Sequence, residues 1–213
     1  DLRLVIYEKI GIYADHFSIP EPKVLLTTRE VLDMPKEMTE GGRTSAYKYL
    51  GLSYNNQSLL ATGCYEVDDS GITRMGRQVI KEMNRVGLVV DMSHSAPRST
   101  LEAIEISERP IAITHANPSN WYDALRNKSD DVLKSLAKSG GMLGFSMYPH
   151  HLKDKSDCQL EDYCDMIART ADMIGVESIG FGSDLCQDQP DSVVEWMRNG
   201  KWTREKDFGE GNA

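Results

Sequence analysis

Two histidines each follow a short apolar run, and the two runs share one design. In LVVDMSHSAPRS, residues 88–99, the apolar run leads into His94, and in RPIAITHANP, residues 109–118, a similar run leads into His115. Ligands of barrels and open parallel sheets lie beyond the carboxyl ends of the strands, so residues that follow such runs face the site. His94 and His115 are therefore candidates for binding one shared ligand.

A carboxylate occupies the same kind of position, because Asp184 follows the run IGFGS. Neutral imidazole and carboxylate are ligand types that zinc and similar divalent ions take. Adjacent parallel strands lie about 4.8 Å apart, and we predict that the ring nitrogens of His94 and His115 approach within about 3 to 4 Å when an ion joins them. The alternative, that these are hydrogen-bonded structural histidines, stays open on spacing alone.

The elements that would position these residues alternate between short apolar runs and amphipathic helices. Apolar runs of strand length predict the strands Val24 to Thr27, Tyr49 to Ser53, Leu88 to Met92, Ile111 to Thr114, Met142 to Ser146 and Ser178 to Gly182. Apolar spacing of three to four residues predicts the helices Thr73 to Val86 and Gln159 to Ile174. The predicted buried faces are Met75, Val79, Met83 and Val86 in the first, and Leu160, Tyr163, Ile167, Ala171 and Ile174 in the second. Shorter helices are expected over Pro97 to Ser107 and Ser129 to Ser139. This alternation indicates an α/β fold with a parallel sheet, for which a barrel and a doubly wound sheet both fit.

Composition narrows the function classes. The 213 residues are 40% hydrophobic and 27% charged, which is typical of a soluble globular domain, and the formal charge is -9. Clustered Lys and Arg are missing, so we expect no nucleic-acid partner and favour a small molecule or peptide. The cysteines form no CxxC pair. We therefore expect neither a structural zinc knuckle nor a disulfide framework, and we favour a cytoplasmic location without the sequence deciding it. No apolar run is long enough for a transmembrane segment.

The longer stretches that contain these motifs resemble the renal (membrane) dipeptidases, zinc peptidases built on a (β/α)8 barrel. The resemblance covers about Tyr49 to Gly200 through four segments: GCYEVDDSGITRMGRQVIKEMNRVGLVVDMSHS, SERPIAITHANP, LRNKSDDVLKSLAKSGGMLGFSMYP and GVESIGFGSDL. The fold class that it implies is an α/β (β/α)8 TIM-type barrel of the metal-dependent hydrolase type.

The resemblance also implies roles for individual residues. His94 and His115 would be metal ligands in a site for one or two zinc ions, and Asp184 would lie by the first metal and handle protons. Arg126 would bind the substrate carboxylate through its planar guanidinium. Tyr54, followed by Asn55, stands where the renal enzymes have a histidine that contacts the reacting carbonyl. This Tyr-Asn pair in place of His-Asn resembles a branch of bacterial relatives, and the Tyr54 hydroxyl would donate to the developing oxyanion.

Parts of the family pattern have no counterpart before Tyr49. The His-x-Asp metal pair of the first barrel strand and the residue that bridges the metals are both missing, and His16 does not supply the pair. After GGRTS, Gly41 to Ser45, the sequence passes directly to Ala46, where the family has roughly one more strand and helix. We therefore expect missing residues, seen as a chain break near Ser45–Ala46, and a native protein longer than 213 residues.

The sequence thus predicts a single partial barrel domain over residues 1–213 with a flexible tail at 199–213. The predicted function is hydrolysis of a dipeptide or similar small amide by a metal-dependent dipeptidase. A related amidohydrolase with a non-dipeptide substrate and a catalytically inactive barrel used for binding are the alternatives. A small peptide substrate is the expected partner, and a homo-oligomer stays open.

Four further features receive expectations. We expect His150 and His151 to lie on a solvated loop, and we expect the acidic run Glu66, Asp68 and Asp69 to form a solvated loop over the site. Asp91, inside its strand, would either orient a ligand histidine or pack in the barrel interior. The aromatic pair Trp121 and Tyr122 would lie in a loop near Arg126, either packing the loop or lining the pocket.

Overall fold

The computed structural model of this chain describes residues 49–184. These residues form alternating strands and helices, in the order β1 Tyr49–Gly51, α1 Arg74–Val86, β2 Val89–Asp91, α2 Pro97–Ile106, β3 Ala112–Ala116, α3 Asp130–Lys138, β4 Met142–Phe145, α4 Leu160–Ile174 and β5 Ile179–Phe181. Each predicted strand and helix in this part of the chain is present, with ends within two residues of the predicted ones. The predicted strand Val24 to Thr27, the Ser45–Ala46 junction and the tail 199–213 lie outside the described residues.

The five strands form one parallel sheet in the order β1-β2-β3-β4-β5. A doubly wound sheet reverses its strand order at a switch point, and no reversal occurs among these five strands. Each of β1 to β4 is followed by a helix that returns the chain to the next neighbouring strand, which is the repeat of a (β/α)8 barrel. The described residues are therefore part of a barrel, and the strand order resolves the choice that the sequence left open.

Helix α1 shows why the local sequence folds as it does. The Thr73 side chain accepts a hydrogen bond from the Gly76 amide at 3.0 Å and caps the first turn. Gly87 ends the helix with φ 82°, a left-handed conformation that glycine adopts without strain. Between these ends, Val79 and Met83 are buried against the sheet, as the apolar spacing predicted.

Helix α4 corrects one part of the predicted apolar face. Tyr163 and Ile174 are buried as expected, but Leu160 is 71% exposed, and Met166 and Thr170 are buried instead. Leu160 is the first residue of the helix, where the chain approaches from a loop and the helix face has not yet reached the sheet. Periodicity predicts which face is apolar but not how far along the helix the packing extends.

The core lies between the sheet and the surrounding helices. Ile113 and Leu143 on the strands and Leu133 and Leu136 on α3 are fully buried within it. Among the helices that residues 49–184 form, none has both the length and the apolar character needed to cross a bilayer.

Candidate metal and catalytic site

His94 and His115 approach each other at the carboxyl ends of β2 and β3. Their Nε2 atoms are 3.0 Å apart, and the two rings meet at an interplanar angle of 67°. Both side chains are buried. The predicted approach of the two ring nitrogens is confirmed by this distance, while their role as metal ligands stays a prediction.

The second ring nitrogen of His94 is held by Asn55. Nδ1 of His94 lies 2.7 Å from Oδ1 of Asn55, an oxygen that can only accept, so Nδ1 carries the proton and Nε2 presents a lone pair. Asn55 has φ 44°, a left-handed conformation that asparagine tolerates better than most residues. Its main chain passes so close to Gly63 that a Cβ there would lie 2.1 Å from the Asn55 carbonyl.

A chain of hydrogen bonds from Asp91 sets the corresponding nitrogen of His115. The Thr114 hydroxyl donates to Oδ2 of Asp91 at 2.7 Å and lies 2.8 Å from Nδ1 of His115. Because the single hydroxyl proton is used on the carboxylate, Thr114 accepts from Nδ1 of His115, and Nε2 of His115 presents a lone pair. Asp91 therefore acts on the histidine through Thr114 rather than directly, and it also accepts from the Ser93 hydroxyl.

This donor set fits a divalent cation. Two nitrogen lone pairs that face each other at 3.0 Å repel unless a proton or a cation lies near both. Two nitrogens bound at about 2.1 Å to one tetrahedral ion lie about 3.4 Å apart, which is close to the separation seen here. Within residues 49–184 no cluster of three or more histidine, cysteine or acidic side chains is arranged to hold a metal, so this part of the chain offers a two-histidine set.

Asp184 reaches the edge of the same site from β5. Its Oδ1 lies 3.8 Å from Nε2 of His115, and the side chain is partly exposed. Its φ of 58° places a non-glycine residue in the left-handed region, a conformation that is often found at functional sites. The structure thus brings Asp184 together with the histidine pair, as the strand-end positions predicted.

Tyr54 lies against the face of His94. The two rings are stacked, with centroids 4.1 Å apart and planes 26° from parallel. A stacked phenol ring restricts the rotation of the imidazole. Its predicted contact with an oxyanion stays a prediction.

Arg126 is fully buried beneath the two histidines. One terminal nitrogen, Nη1, donates to the Ser93 carbonyl, and Nη2 donates to the His115 carbonyl at 3.2 Å. The remaining nitrogen, Nε, has no partner among the described residues. The predicted contact with a substrate carboxylate stays a prediction, and the observed contacts make Arg126 a support of the main chain at both histidines.

Several residues of the site could not be recognised from a motif in the sequence. Asn55 appeared only as the neighbour of Tyr54, and Thr114 and Lys128 were not singled out. Lys128 is 1% exposed and its Nζ donates to the Ser95 carbonyl at 2.6 Å. Burial lowers the pKa of Lys128 to about 8. A lysine between Asn127 and a serine in a polar loop normally indicates solvent, so only its tertiary partners distinguish it.

The expectation for His151 is wrong. It does not lie on a solvated loop but is 1% exposed, in the short 3-10 helix Pro149–His151, with Nδ1 3.1 Å from the Ser146 hydroxyl. Burial, and next the charges of Arg126 and His115, hold its pKa well below the usual value. The error arises because the short 3-10 helix turns His151 inward, where its carbonyl accepts from the side chains of Asn117 and Asn127, while His150 stays partly exposed.

The acidic run is only partly a solvated loop. Glu66 and Asp68 are exposed, but Asp69 accepts from the Arg98 amide at 2.6 Å and from the Ser99 hydroxyl at 3.0 Å. An acceptor at these positions caps the amino terminus of α2. Asp69 is therefore a structural residue of that helix.

Trp121 packs against the core rather than lining the site. Its ring lies 5.2 Å from the guanidinium carbon of Arg169 on α4. Cys64 does reach the site, because its thiol donates to Oδ1 of Asn55 at 3.6 Å. Burial raises the pKa of the Cys64 thiol, although the nearby charges of Arg126 and Lys128 oppose that shift.

A barrel with a pair of buried imidazoles at the carboxyl ends of two neighbouring strands is the arrangement expected of a metal-dependent hydrolase barrel. Residues 43–199 match the family model of the membrane dipeptidases, peptidase family M19. The chain belongs to this family. The resemblance seen in the sequence is thereby confirmed.

Comparison with individual proteins gives the same assignment. The chain is 33% identical over 142 residues to dipeptidase verJ of Clonostachys rogersoniana, a match that covers 65% of this chain and 36% of verJ. A crystal structure of an amidohydrolase from Pseudomonas aeruginosa is 37% identical, with a TM-score of 0.66 over 70% of this chain and 45% of that one.

A metallo peptidase from Rhodobacter sphaeroides, crystallised with a phosphinate mimic of the dipeptide L-Ala-D-Ala, shares the fold. Its TM-score is 0.60 at 24% identity, over 65% of this chain and 42% of that one. The chain thus spans between about a third and about a half of the length of these relatives.

Proposed function

We propose that the protein is a metal-dependent dipeptidase that hydrolyses a dipeptide or a similar small amide. The observation that carries the proposal is the pair of Nε2 atoms of His94 and His115, 3.0 Å apart, with both tautomers set so that lone pairs face the site. Family membership supports the reaction class. The dipeptide mimic bound to the Rhodobacter sphaeroides structure and the dipeptidase name of verJ support the substrate class.

His94 and His115 would hold the metal, with zinc as the favoured ion because neutral imidazole is among its preferred ligands. A bound divalent ion supplies Lewis-acid polarisation of the scissile carbonyl and of a water molecule. Asn55 and Thr114 keep the two imidazoles in the tautomer and orientation that this binding requires. Elemental analysis of the purified protein distinguishes one bound ion per chain from two.

Asp184 is the proposed proton carrier. Its carboxylate lies 3.8 Å from Nε2 of His115 and remains partly open to solvent, so a water in the site lies within its reach. As general base it would take the proton of the attacking water, and as general acid it would give that proton to the amine of the leaving amino acid.

Tyr54 and Arg126 are the proposed substrate contacts. The Tyr54 hydroxyl would donate a hydrogen bond to the oxygen that becomes negative as the carbonyl carbon turns tetrahedral. Arg126 would attract the terminal carboxylate of the dipeptide, and its Nε is the nitrogen that the main-chain contacts leave available.

Metal content tests the ligand assignment. The full-length protein is purified with added zinc and analysed by elemental analysis beside His94→Ala, His115→Ala and His150→Ala. We expect the first two variants to lose bound metal and His150→Ala, whose histidine lies outside the pair, to retain it. Wild-type metal content in both His94→Ala and His115→Ala would refute the assignment.

A substrate panel tests the reaction. Dipeptides with an L or a D residue at the carboxyl-terminal position are compared with N-acyl amino acids, and hydrolysis is followed by release of the free amine. The similarity to the Pseudomonas aeruginosa amidohydrolase favours a second candidate, an amidase for non-dipeptide substrates. Cleavage of N-acyl amino acids alone would select that candidate. Metal binding without cleavage of any compound would select a barrel used for binding.

A further inference from the structure

Three consecutive residues, Arg126, Asn127 and Lys128, tie together the carboxyl ends of three strands. Arg126 donates to the Ser93 and His115 carbonyls, which follow β2 and lie within β3. Asn127 Nδ2 donates to the His151 carbonyl, in the segment after β4, at 3.0 Å. We call these three residues the RNK segment.

The RNK segment is itself fixed to the loop that follows β3. The Lys128 amide donates to the Asn117 carbonyl at 2.9 Å, and the Lys128 carbonyl accepts from the Ser119 amide at 2.8 Å. In addition, Oδ1 of Asn127 accepts from the Asn117 amide at 3.2 Å. Its side chains therefore project from a rigid base rather than from a flexible loop.

Lys128 is the unusual member of this segment. The residue is 1% exposed, and within residues 49–184 it makes no salt bridge. The Ser95 carbonyl is the direct hydrogen-bond acceptor of its ammonium, and the carboxylates of Asp91 and Asp69 act on its charge from beyond ion-pair distance. Burying a cationic side chain without a carboxylate partner is unfavourable, and such groups are uncommon in protein interiors. The hydrogen bond to the Ser95 carbonyl at 2.6 Å offsets part of this cost.

The acceptors of Lys128 and Arg126 flank one histidine. Arg126 donates to the carbonyl of Ser93, which precedes His94, and Lys128 donates to the carbonyl of Ser95, which follows it. The main chain is therefore held on both sides of the His94 Cα. The third acceptor is the carbonyl of His115 itself. The side chains of Asn55 and Thr114 set the rotation of the two rings. The RNK segment sets the position of the backbone from which the two rings project.

We propose that Lys128 is a positioning residue that, with Arg126, keeps His94 and His115 at the separation required for a shared divalent cation. This inference rests on the proposed function, since it concerns the same metal site. Without the Lys128 contact, the main chain on the carboxyl-terminal side of His94 is no longer held in place. Metal binding then has to order His94 and His115 itself, which weakens it.

If Lys128 only stabilised the fold, its substitution would give a different result. Loss of such a residue lowers the midpoint of thermal unfolding but leaves the metal affinity of the folded protein unchanged. Loss of a positioning residue weakens metal binding in protein that is fully folded. The two roles are separated by measuring both quantities on the same samples.

The experiment uses the full-length protein and Zn²⁺ as the probe. The dissociation constant is measured by competition with a chromophoric chelator for wild type, Lys128→Met and Lys128→Arg, and folding is checked by circular dichroism and thermal unfolding. Lys134→Met, which removes an exposed lysine from α3, is the matched control. The absorption spectrum of bound Co²⁺ reports any change in ligand geometry.

We expect Lys128→Met to bind Zn²⁺ about 10- to 100-fold more weakly, as is typical when a residue that orients metal ligands is lost. Lys128→Arg keeps a cationic donor and should bind more tightly than Lys128→Met, and Lys134→Met should match wild type. If Lys128→Met does not fold, Lys128→Gln replaces it, because glutamine is uncharged and too short to reach the Ser95 carbonyl.

Unchanged affinity in a folded Lys128→Met or Lys128→Gln protein would overturn the inference while leaving the proposed function intact. If Lys128→Arg bound Zn²⁺ as weakly as Lys128→Met, the inference would also be overturned, because hydrogen-bond donation to the Ser95 carbonyl would then not explain the effect. Failure of wild type to bind Zn²⁺ would instead contradict the proposed metal site.

Discussion

Substituting Lys128 by methionine should change how stability depends on pH. In the folded protein, burial lowers the pKa of Lys128 to about 8 from an ordinary value of 10.5. Between these two values the unfolded chain binds more protons at this residue than the folded chain does, so wild-type stability contains a component that rises with pH. Below about pH 8 the lysine is protonated in both states, and the folded state bears the full cost of the buried charge.

The size of this component follows from the pKa difference. A shift of about 2.5 pH units corresponds to about 3 kcal/mol in the free energy of unfolding, with a maximum slope of about 1.4 kcal/mol per pH unit. Methionine has a similar shape and no titrating group, so the component is absent from Lys128→Met. The unfolding free energy of wild type minus that of Lys128→Met should therefore increase by about 3 kcal/mol from pH 8 to pH 10.5.

The assay is urea unfolding at a series of pH values, with a chelator and a reducing agent present. The chelator removes the contribution of metal binding to stability. Other groups also titrate in this range: burial raises the pKa of the Cys64 thiol and raises that of Tyr163 to about 12. Such acids lower stability as pH rises. The contribution of Tyr163 is present in both proteins and largely cancels in the difference. Cys64 is electrostatically coupled to Lys128, so both proteins are compared in a Cys64→Ala background.

A loss of the Ser95 contact adds an offset that does not depend on pH, so the prediction concerns the slope alone. The same comparison with Lys134→Met, an exposed lysine of α3, should give a difference that is flat with pH. If the difference for Lys128→Met is equally flat between pH 8 and 10.5, Lys128 is not buried as a cation, and the reasoning is refuted.

Three further predictions concern the site and the core. Asn55→Gly removes the acceptor that sets the tautomer of His94, and glycine tolerates the φ of 44° at this position. We expect about 10- to 100-fold weaker Zn²⁺ binding in a chelator competition assay. An affinity equal to that of wild type would count against the tautomer argument. Gly63→Ala places a Cβ 2.1 Å from the Asn55 carbonyl, so it should lower the urea midpoint and weaken Zn²⁺ binding together. Leu136 is fully buried, so Leu136→Ala should lower the unfolding free energy by about 2 to 5 kcal/mol. Leu160 is 71% exposed, so Leu160→Ala should lower it by less than about 0.5 kcal/mol. Similar values for both variants would contradict the described core.

Most of the local structure could be predicted from the sequence. Short apolar runs indicated the strands, and three-to-four apolar spacing indicated a helix over Thr73 to Val86, which starts one residue before the observed α1 and ends with it. These features depend on residues close together in the chain. The approach of His94 and His115 could also be predicted, because the carboxyl ends of neighbouring parallel strands meet at one edge of the sheet.

The orientation of those histidines could not be predicted in the same way. The partner of His94 is Asn55, 39 residues earlier, and the partner of the Ser95 carbonyl is Lys128, 33 residues later. Nothing in the local sequence distinguishes an asparagine or lysine that turns inward to such a partner from one that faces solvent. His151 was misassigned for this reason, since its burial depends on how the segment after β4 packs against Asn117 and Asn127, which follow β3.

The sequence by itself therefore determined the order of the strands and helices in residues 49–184, the family, and the side chains that stand at the strand ends. The tertiary structure decided between a barrel and a doubly wound sheet, through the unreversed order of β1 to β5. It also decided which nitrogen of each histidine faces the site and that Lys128 supports the backbone beside His94. Periodicity is set by neighbours within a few residues, whereas hydrogen-bond partners across the sheet depend on where distant segments come to lie once the chain has folded.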